Sequence, residues 1–566
     1  MASGNVGRDF VKRRVAKRIT VAVAAVSVTA AVAACSDNGS PVGKDKPEPQ
    51  FGYALPQELV TTNAGTALGV ATDASKISAR LYPGAFIEGP DEQLLPNPDL
   101  VTAIPSTRSQ GTVNYQINAQ AKYSDGKPVV CDDFLLTYEA SKRPDLFGSD
   151  MPLFSQVENV ACKPGSKRFV VNFKHGFGER FRELFSAGTV LPMHKVAERA
   201  QVSDGAQAVR SGDEQQLSEL GKQWQESFLL SKTDPKEVPT SGPYKIDERT
   251  EDGHLKLTAN PGWSGVKPAE DPIHMWPRRA DLAKLREQNQ LKVADIDAGN
   301  NPEELGLKAP DWRVTKVQTS RVDTLRISDL GPLATPELRQ ALNYCIDQGS
   351  IAGAVSKHSG ARVRPTGLRV IGPAHPLTTQ LSRTSRENTV FAPEKAGALT
   401  GQHIRIGYLE TTSRYKVIVD KIKESCGAVG VTVEPVPLKV SAYGVLGVEY
   451  DVLLDTRTTF GRNAAVANGV SGRLTEIQRE EKKLADDSYS IPLVTEARTI
   501  ASEEHVHNVL DNGADGGVSW NMDRWITRKN PVPAESPSSS DPDGKAPSGV
   551  PNQGSPGGAS NSGKAS

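Results

Sequence analysis

Apolar and polar positions are distributed differently in three stretches of this chain of 566 residues. At the start, Arg8, Lys12, Arg13, Arg14, Lys17 and Arg18 precede an apolar run from Ile19 to Ala34. In the body, short apolar runs alternate with stretches of helical period. The runs Val113–Ala121, Phe169–Phe173, Leu255–Leu257, Thr324–Ile327, His403–Tyr408 and Asp451–Leu454 predict strands. Thr335-Pro336-Glu337 predicts a helix start: a capping hydroxyl, Pro in the first turn, and an acid at the positive end. The apolar face Leu338, Leu342, Cys345 continues that helix. Tyr415 to Cys426, with the face Ile418/Val419, Ile422, Cys426 and Gly427 at its end, predicts a second. It lies between His403–Tyr408 and Val431–Val433, the spacing of a βαβ unit. Glu476–Asp487 predicts a charged surface helix. Beyond 531 the chain is mostly Pro, Ser, Gly, Ala and Asn, and cannot bury enough surface to offset the entropy of ordering.

The basic start, apolar run and small residues Val32-Ala33-Ala34 form the three parts of an export signal. A bilayer crossing takes about 20 apolar residues, so Ile19–Ala34 fits a cleaved signal better than a transmembrane anchor. The surroundings of Arg13-Arg14 match the twin-arginine export pattern poorly. The next residue, Cys35, makes this a lipobox: it resembles the site at which bacteria attach diacylglycerol to a thiol and cleave just before it. The expected mature protein begins at Cys35, tethered by lipid to the outer face of the cytoplasmic membrane. Residues 36–50 read as a solvated spacer.

Charged residues make up 24% and hydrophobic ones 37%, which places the body among ordinary globular proteins. Lys plus Arg equals Asp plus Glu, so loss of the basic signal leaves a slightly acidic chain and no footprint for nucleic acid. The span 51–530 exceeds the ~250–300 residues at which single cores stop growing, so two or three lobes are expected. Of the five cysteines, Cys131, Cys162, Cys345 and Cys426 remain once Cys35 is set aside, an even number in an exported chain. Sequence does not fix their pairing. Cys131–Cys162 and Cys345–Cys426 are the expected bonds, although Cys345 and Cys426 on core faces equally suit free buried thiols. No metal-ligand spacing surrounds them, and neither a metal nor a cofactor is expected.

Tyr123-Ser124-Asp125-Gly126-Lys127-Pro128-Val129 followed by Asp132-Asp133-Phe134 combines a tight turn with an acidic helix start. Thr240-Ser241-Gly242-Pro243-Tyr244 precedes Asn260-Pro261-Gly262-Trp263, and Leu338-Arg339-Gln340-Ala341-Leu342 leads to Asp347. Smaller echoes are Val190–His194, Val293–Asp297, Tyr450–Leu454 and Ser490–Val494. Taken in chain order, across roughly 120–495, the segments resemble the extracellular solute-binding proteins of the oligopeptide, dipeptide and nickel class, which feed ABC importers. The Ala-rich signal and polar tail resemble those of the actinobacterial lipoproteins of that class. These motifs are turns, caps and core faces; they identify a fold and carry no chemistry.

The resemblance implies an α/β, two-lobed periplasmic-binding-protein fold with mixed sheets flanked by helices, an extra subdomain and a hinge between the lobes. The expected division is signal 1–34, tether 35–50, first lobe 51–80, extra subdomain 81–190, first lobe again 191–320, second lobe 321–488, a return to the first lobe at 489–530, and tail 531–566. Chain crossings would lie near 318–325 and 485–495. It also implies a monomer that captures a peptide or other small solute by hinge closure and passes it to ABC permease subunits, touching the membrane only through its lipid. Many peptide binders carry Trp-x-x-Asp shortly after the strand that here is Tyr450–Leu454, and that Asp meets the peptide amino terminus. This chain instead reads Asp455-Thr456-Arg457-Thr458-Thr459-Phe460-Gly461-Arg462. Arg457 and Arg462 at a pocket edge would suit carboxylate, phosphate or sugar hydroxyls. The candidate contacts are Asn63, Gly65 and Thr66 in the loop after the first strand, Asp455, Arg457 and Phe460, and Trp520. No Gly-x-Ser-x-Gly, His-Glu-x-x-His, Walker or dinucleotide pattern supports an exported enzyme. A sensor or cell-wall scaffold reusing the fold is the alternative to transport.

Overall fold

The structure is a computed structural model, and it describes residues 48–458 and 474–528. Its frame is a ten-stranded sheet. In spatial order the strands are Thr432–Leu438, His403–Leu409, Val452–Thr458, Trp312–Ile327, Ser490–Glu503, Val293–Ile296, Gly52–Ala54, Ile273–Trp276, Leu255–Ala259 and Tyr244–Arg249. The two central strands are 16 and 14 residues long and antiparallel, pairing from Trp312↔Glu503 to Arg326↔Ser490. At one end Ser490–Glu503 also pairs with Val293–Ile296; at the other Trp312–Ile327 pairs with Val452–Thr458. The long strands thus belong to both lobes. Their register slips between Gln318 and Val322 and again between Asp323 and Thr324. At the slip the Thr319 hydroxyl accepts from Arg321 N (3.1 Å) and donates to the Glu496 carboxylate (3.1 Å), so the interrupted ladder is met by side chains.

Each lobe has its own core. One gathers Tyr53, Leu255, Met275 and Trp525 with the aromatic residues of a four-stranded antiparallel sheet, Val101–Pro105, Thr112–Ile117, Arg168–Phe173 and Val157–Cys162. The helix Cys131–Lys142 covers that smaller sheet, with Phe134 packed on Phe169 and Phe185 at ring separations of 4.7 and 5.1 Å. The other core gathers Leu325, Leu342, Ile406, Ile418 and Leu454. There His403–Leu409 and Thr432–Leu438 run parallel on either side of the helix Ser413–Gly427 in sequence, the βαβ unit read from their spacing. Disulfides join Cys131 to Cys162 and Cys345 to Cys426, closing sequence separations of 31 and 81 residues.

Local chemistry sets the element ends. Thr335 accepts from Leu338 N and opens the helix Pro336–Cys345. Asp347 caps the next helix by accepting from Ser350 N at 2.9 Å. The strand expected over Val113–Ala121 stops at Ile117, because the Asn118 side chain accepts from Gln120 N (2.8 Å) and turns the backbone. The strand expected at Thr324–Ile327 is the end of a much longer one; its first half alternates with exposed polar residues and does not read as apolar. Gly242 is required by close approach: a Cβ there would lie 2.3 Å from the Arg80 carbonyl oxygen. The Asn260 side chain then donates to the carbonyls of Thr240 and Gly242, at 3.0 and 2.8 Å, and locks the Gly-Pro-Tyr turn.

Candidate functional site between the lobes

A cleft of about 550 Å³ lies where the two lobes face each other. Thr66, Leu68 and Leu229 line it from the first lobe, and Arg326, Tyr443 and Leu453 from the second. Among its charged lining residues, Lys232 and Glu226 pair at 2.8 Å. Burial raises the Tyr443 hydroxyl well above its ordinary range and pushes that of Tyr450 up to about 12, so both stay neutral donors.

Four charges cross from lobe to lobe beside the cleft. Arg457 donates to Asp150 of the first lobe at 2.7 Å and to Asp455 of its own strand at 2.7 Å. Arg326 lies 3.1 Å from Asp455 and 3.4 Å from Asp150. Burial disfavours the Arg457 charge, but Asp150 and Asp455 more than offset it and hold the guanidinium above its ordinary value. Among the described residues, two cations balance two anions in this cluster. The Arg457 guanidinium is therefore occupied within the protein, which removes the reason to reserve it for an anionic solute. Arg462 and Phe460 fall outside the described residues.

A second network surrounds the strand crossings. Arg321 reaches Asp73 at 2.7 Å, Arg414 grips Asp323 at 2.9 Å, and Lys76 meets Asp295 at 2.6 Å. Glu496 stands among Arg321, Arg414 and Arg498. Burial alone would raise its carboxyl; the three guanidiniums more than offset that and depress it well below the usual carboxylate range. Lys76 and Asp73 precede the crossings, Asp323 lies on the first crossing strand, Arg414 follows it, and Glu496 lies on the second, so the network ties the lobes at their pivot.

The remaining sequence candidates divide. Asn63 is fully buried and structural: its amide donates to the Trp224 carbonyl (2.7 Å) and its side-chain oxygen accepts from Gly65 N (2.9 Å). Gly65 is backbone packed on the Trp224 ring, where a Cβ would come within 2.8 Å. Its carbonyl accepts from Asp150 N at 2.8 Å, which fixes the loop carrying Asp150. Thr66 caps the short helix Ala67–Ala71 through Gly69 N and lines the cleft. Trp520 sits elsewhere, beside a much smaller cavity of about 50 Å³, donating to the Leu510 carbonyl at 2.9 Å. Sequence reasoning missed Asp150, Arg326, Tyr443 and Leu453. Two of these left a trace: Arg326 as a cation inside the apolar run Thr324–Ile327, and Leu453 within the predicted strand Asp451–Leu454.

This architecture, two lobes joined by paired crossing strands around a cleft, is that of the periplasmic binding proteins. Residues 96–458 match the sequence profile of bacterial extracellular solute-binding proteins, family 5, middle region, and the chain belongs to that family. It is 26% identical over 561 residues to an uncharacterised lipoprotein of Mycobacterium tuberculosis, a match covering 90% of this chain and 98% of the relative. Its fold is similar to the oligopeptide-binding protein AppA of Bacillus subtilis, solved with a nonapeptide (TM-score 0.64, 15% identity, 85% of this chain and 100% of that one). It is also similar to AgaA of A. tumefaciens R10, solved with agropinic acid (TM-score 0.62, 13% identity, 85% and 99% covered). Among the described residues no helix is long and apolar enough to cross a membrane. Cys35 lies outside them.

Proposed function

We propose that this protein is an extracytoplasmic lipoprotein, anchored through Cys35, that captures a peptide or peptide-like solute by hinge closure and delivers it to an ABC importer. The observation that carries the reading is the cleft lined from both lobes, beside charges that pair across it. Closure around solute follows if the solute contacts both walls, because a ligand shifts a hinge only by its differential affinity for the closed state. The lining supplies neutral hydroxyls, apolar side chains and ion pairs already met by partners, which suits a solute without large net charge, held through hydrogen bonds and water. The structure of AppA with a nonapeptide supports a peptide; that of AgaA with agropinic acid supports extending the class to peptide-like compounds. Native mass spectrometry of the protein purified from its own host is the test. A co-purifying peptide or peptide-like mass supports the reading. An empty spectrum with no melting shift from a peptide panel counts against it.

A further inference from the structure

On the first lobe, apart from the residues lining the cleft, two histidines meet across neighbouring strands. His274 lies on Ile273–Trp276, and His254 directly precedes Leu255–Ala259. Leu255 pairs with Met275, so His254 stands opposite Trp276 and diagonal to His274. His254 Nε2 and His274 Nδ1 face each other at 3.4 Å. That is long for a hydrogen bond between nitrogens. Two nitrogens bound to one tetrahedral zinc at ~2.0–2.1 Å would be about 3.3 Å apart, close to the spacing seen.

The surroundings prepare both rings. Asp252 Oδ1 lies 3.0 Å from His254 Nδ1, and Thr250 Oγ1 lies 2.9 Å from it. A proton held on Nδ1 by the carboxylate leaves Nε2 with its lone pair free, the arrangement by which a carboxylate orients a metal-binding imidazole. The Trp276 ring packs against His254 with centroids 4.1 Å apart and planes tilted by 33°, which restrains the imidazole. His274 is nearly buried, and its backbone N–H donates to the Phe51 carbonyl at 2.9 Å, which holds it in register on its strand. The nearby cations are engaged elsewhere: Lys256 with Asp247 at 3.2 Å, and Arg279 with the Asp252 carbonyl and Glu58.

We propose that His254 and His274 form a binding site for Zn(II) or Cu(II), the ion held by Nε2 of the first and Nδ1 of the second, with water completing its shell. Imidazole suits both ions. Bound there, the ion clips the hairpin tip at 250–254 to the strand Ile273–Trp276. The site is independent of the solute reading, since it shares no residue with the cleft lining.

The test is calorimetric titration of the full-length protein with ZnCl₂ at pH 7.5, paired with electron paramagnetic resonance after one equivalent of CuCl₂. The expected result is one saturable site, weakened at least tenfold in H254A and in H274A and unchanged in H505A/H507A, which removes the two histidines flanking Val506 near the end of the fold. The copper spectrum should show two imidazole nitrogens. D252N, which leaves both ligand atoms in place, should bind more weakly by about tenfold or more. H254Q replaces H254A if the alanine variant melts early. Absence of zinc binding by the wild type, or binding that survives loss of both histidines, overturns the proposal.

Discussion

Replacing Asp150 by Asn is expected to bias the protein toward its open form. Asp150 is the first-lobe member of the four-charge cluster, 2.7 Å from Arg457 and 3.4 Å from Arg326. The side chains of Arg457 and Asp150 are only 9% and 12% exposed, so loss of one carboxylate leaves a nearly buried excess of one positive charge. Breaking such a pair from one side costs ~3–5 kcal/mol when fully buried. Arg457 keeps Asp455 at 2.7 Å, and Arg326 is 29% exposed, which reduces the cost to ~2–3 kcal/mol. Once the lobes part, the same groups are hydrated and the pair contributes ~0–1 kcal/mol. The penalty therefore falls on the closed form. The difference is ~1–3 kcal/mol, so at ~1.4 kcal/mol per tenfold closure and solute affinity weaken by about 5- to 150-fold. Small-angle X-ray scattering of D150N should report a larger radius of gyration than the wild type under the same conditions. A double-mutant cycle with R457M, read by affinity for the co-purified solute, should give a coupling of ~1 kcal/mol or more. Unchanged scattering together with a coupling below ~0.5 kcal/mol would refute the cluster as a link between the lobes.

Acid should weaken the pivot through Glu496. Its folded value lies below the unfolded one of ~4.3, so its stabilisation is complete above that pH and is lost as pH falls through the folded value. Denaturant titrations from pH 6 to pH 2.5 should show this acid loss in the wild type and a flatter profile in E496Q. Asp133 has the opposite sign: burial pushes its carboxyl up to about 7 although it accepts from Val130 N and Met193 N, so its contribution declines as pH rises from ~4 toward 7. Removing the Cys345–Cys426 bond with two alanines should cost about 4–5 kcal/mol for its 81-residue separation, and removing Cys131–Cys162 about 3–4 kcal/mol for 31, measured by urea midpoint. C35S should abolish labelling by radioactive palmitate and release the protein from the membrane fraction.

The family and the two-lobed fold were legible because their signals are local. A cap such as Thr335, a turn such as Asp125-Gly126 and a forced glycine such as Gly242 each depend on a few neighbouring residues, and their order along the chain does the rest. The walls of the cleft were not legible for the opposite reason. Asp150 and Arg457 are 307 positions apart, and nothing around either one announces the other. The charge pattern after Tyr450–Leu454 suggested an open cationic edge; long-range packing supplies the anion that closes it. His254 and His274 have no ligand spacing in sequence and meet only through strand register.

The placement of the disulfides has a mechanical consequence. Cys345 and Cys426 both sit in the core of the second lobe, while Cys131 and Cys162 tie a helix to a strand within the first. Neither covalent link spans the paired strands on which the lobes turn. Oxidation therefore hardens each half against unfolding while leaving the swing between them to weaker, reversible contacts. A two-lobed binder can be made durable in this way without being made stiff: reductant would shorten its lifetime and leave its opening angle unchanged.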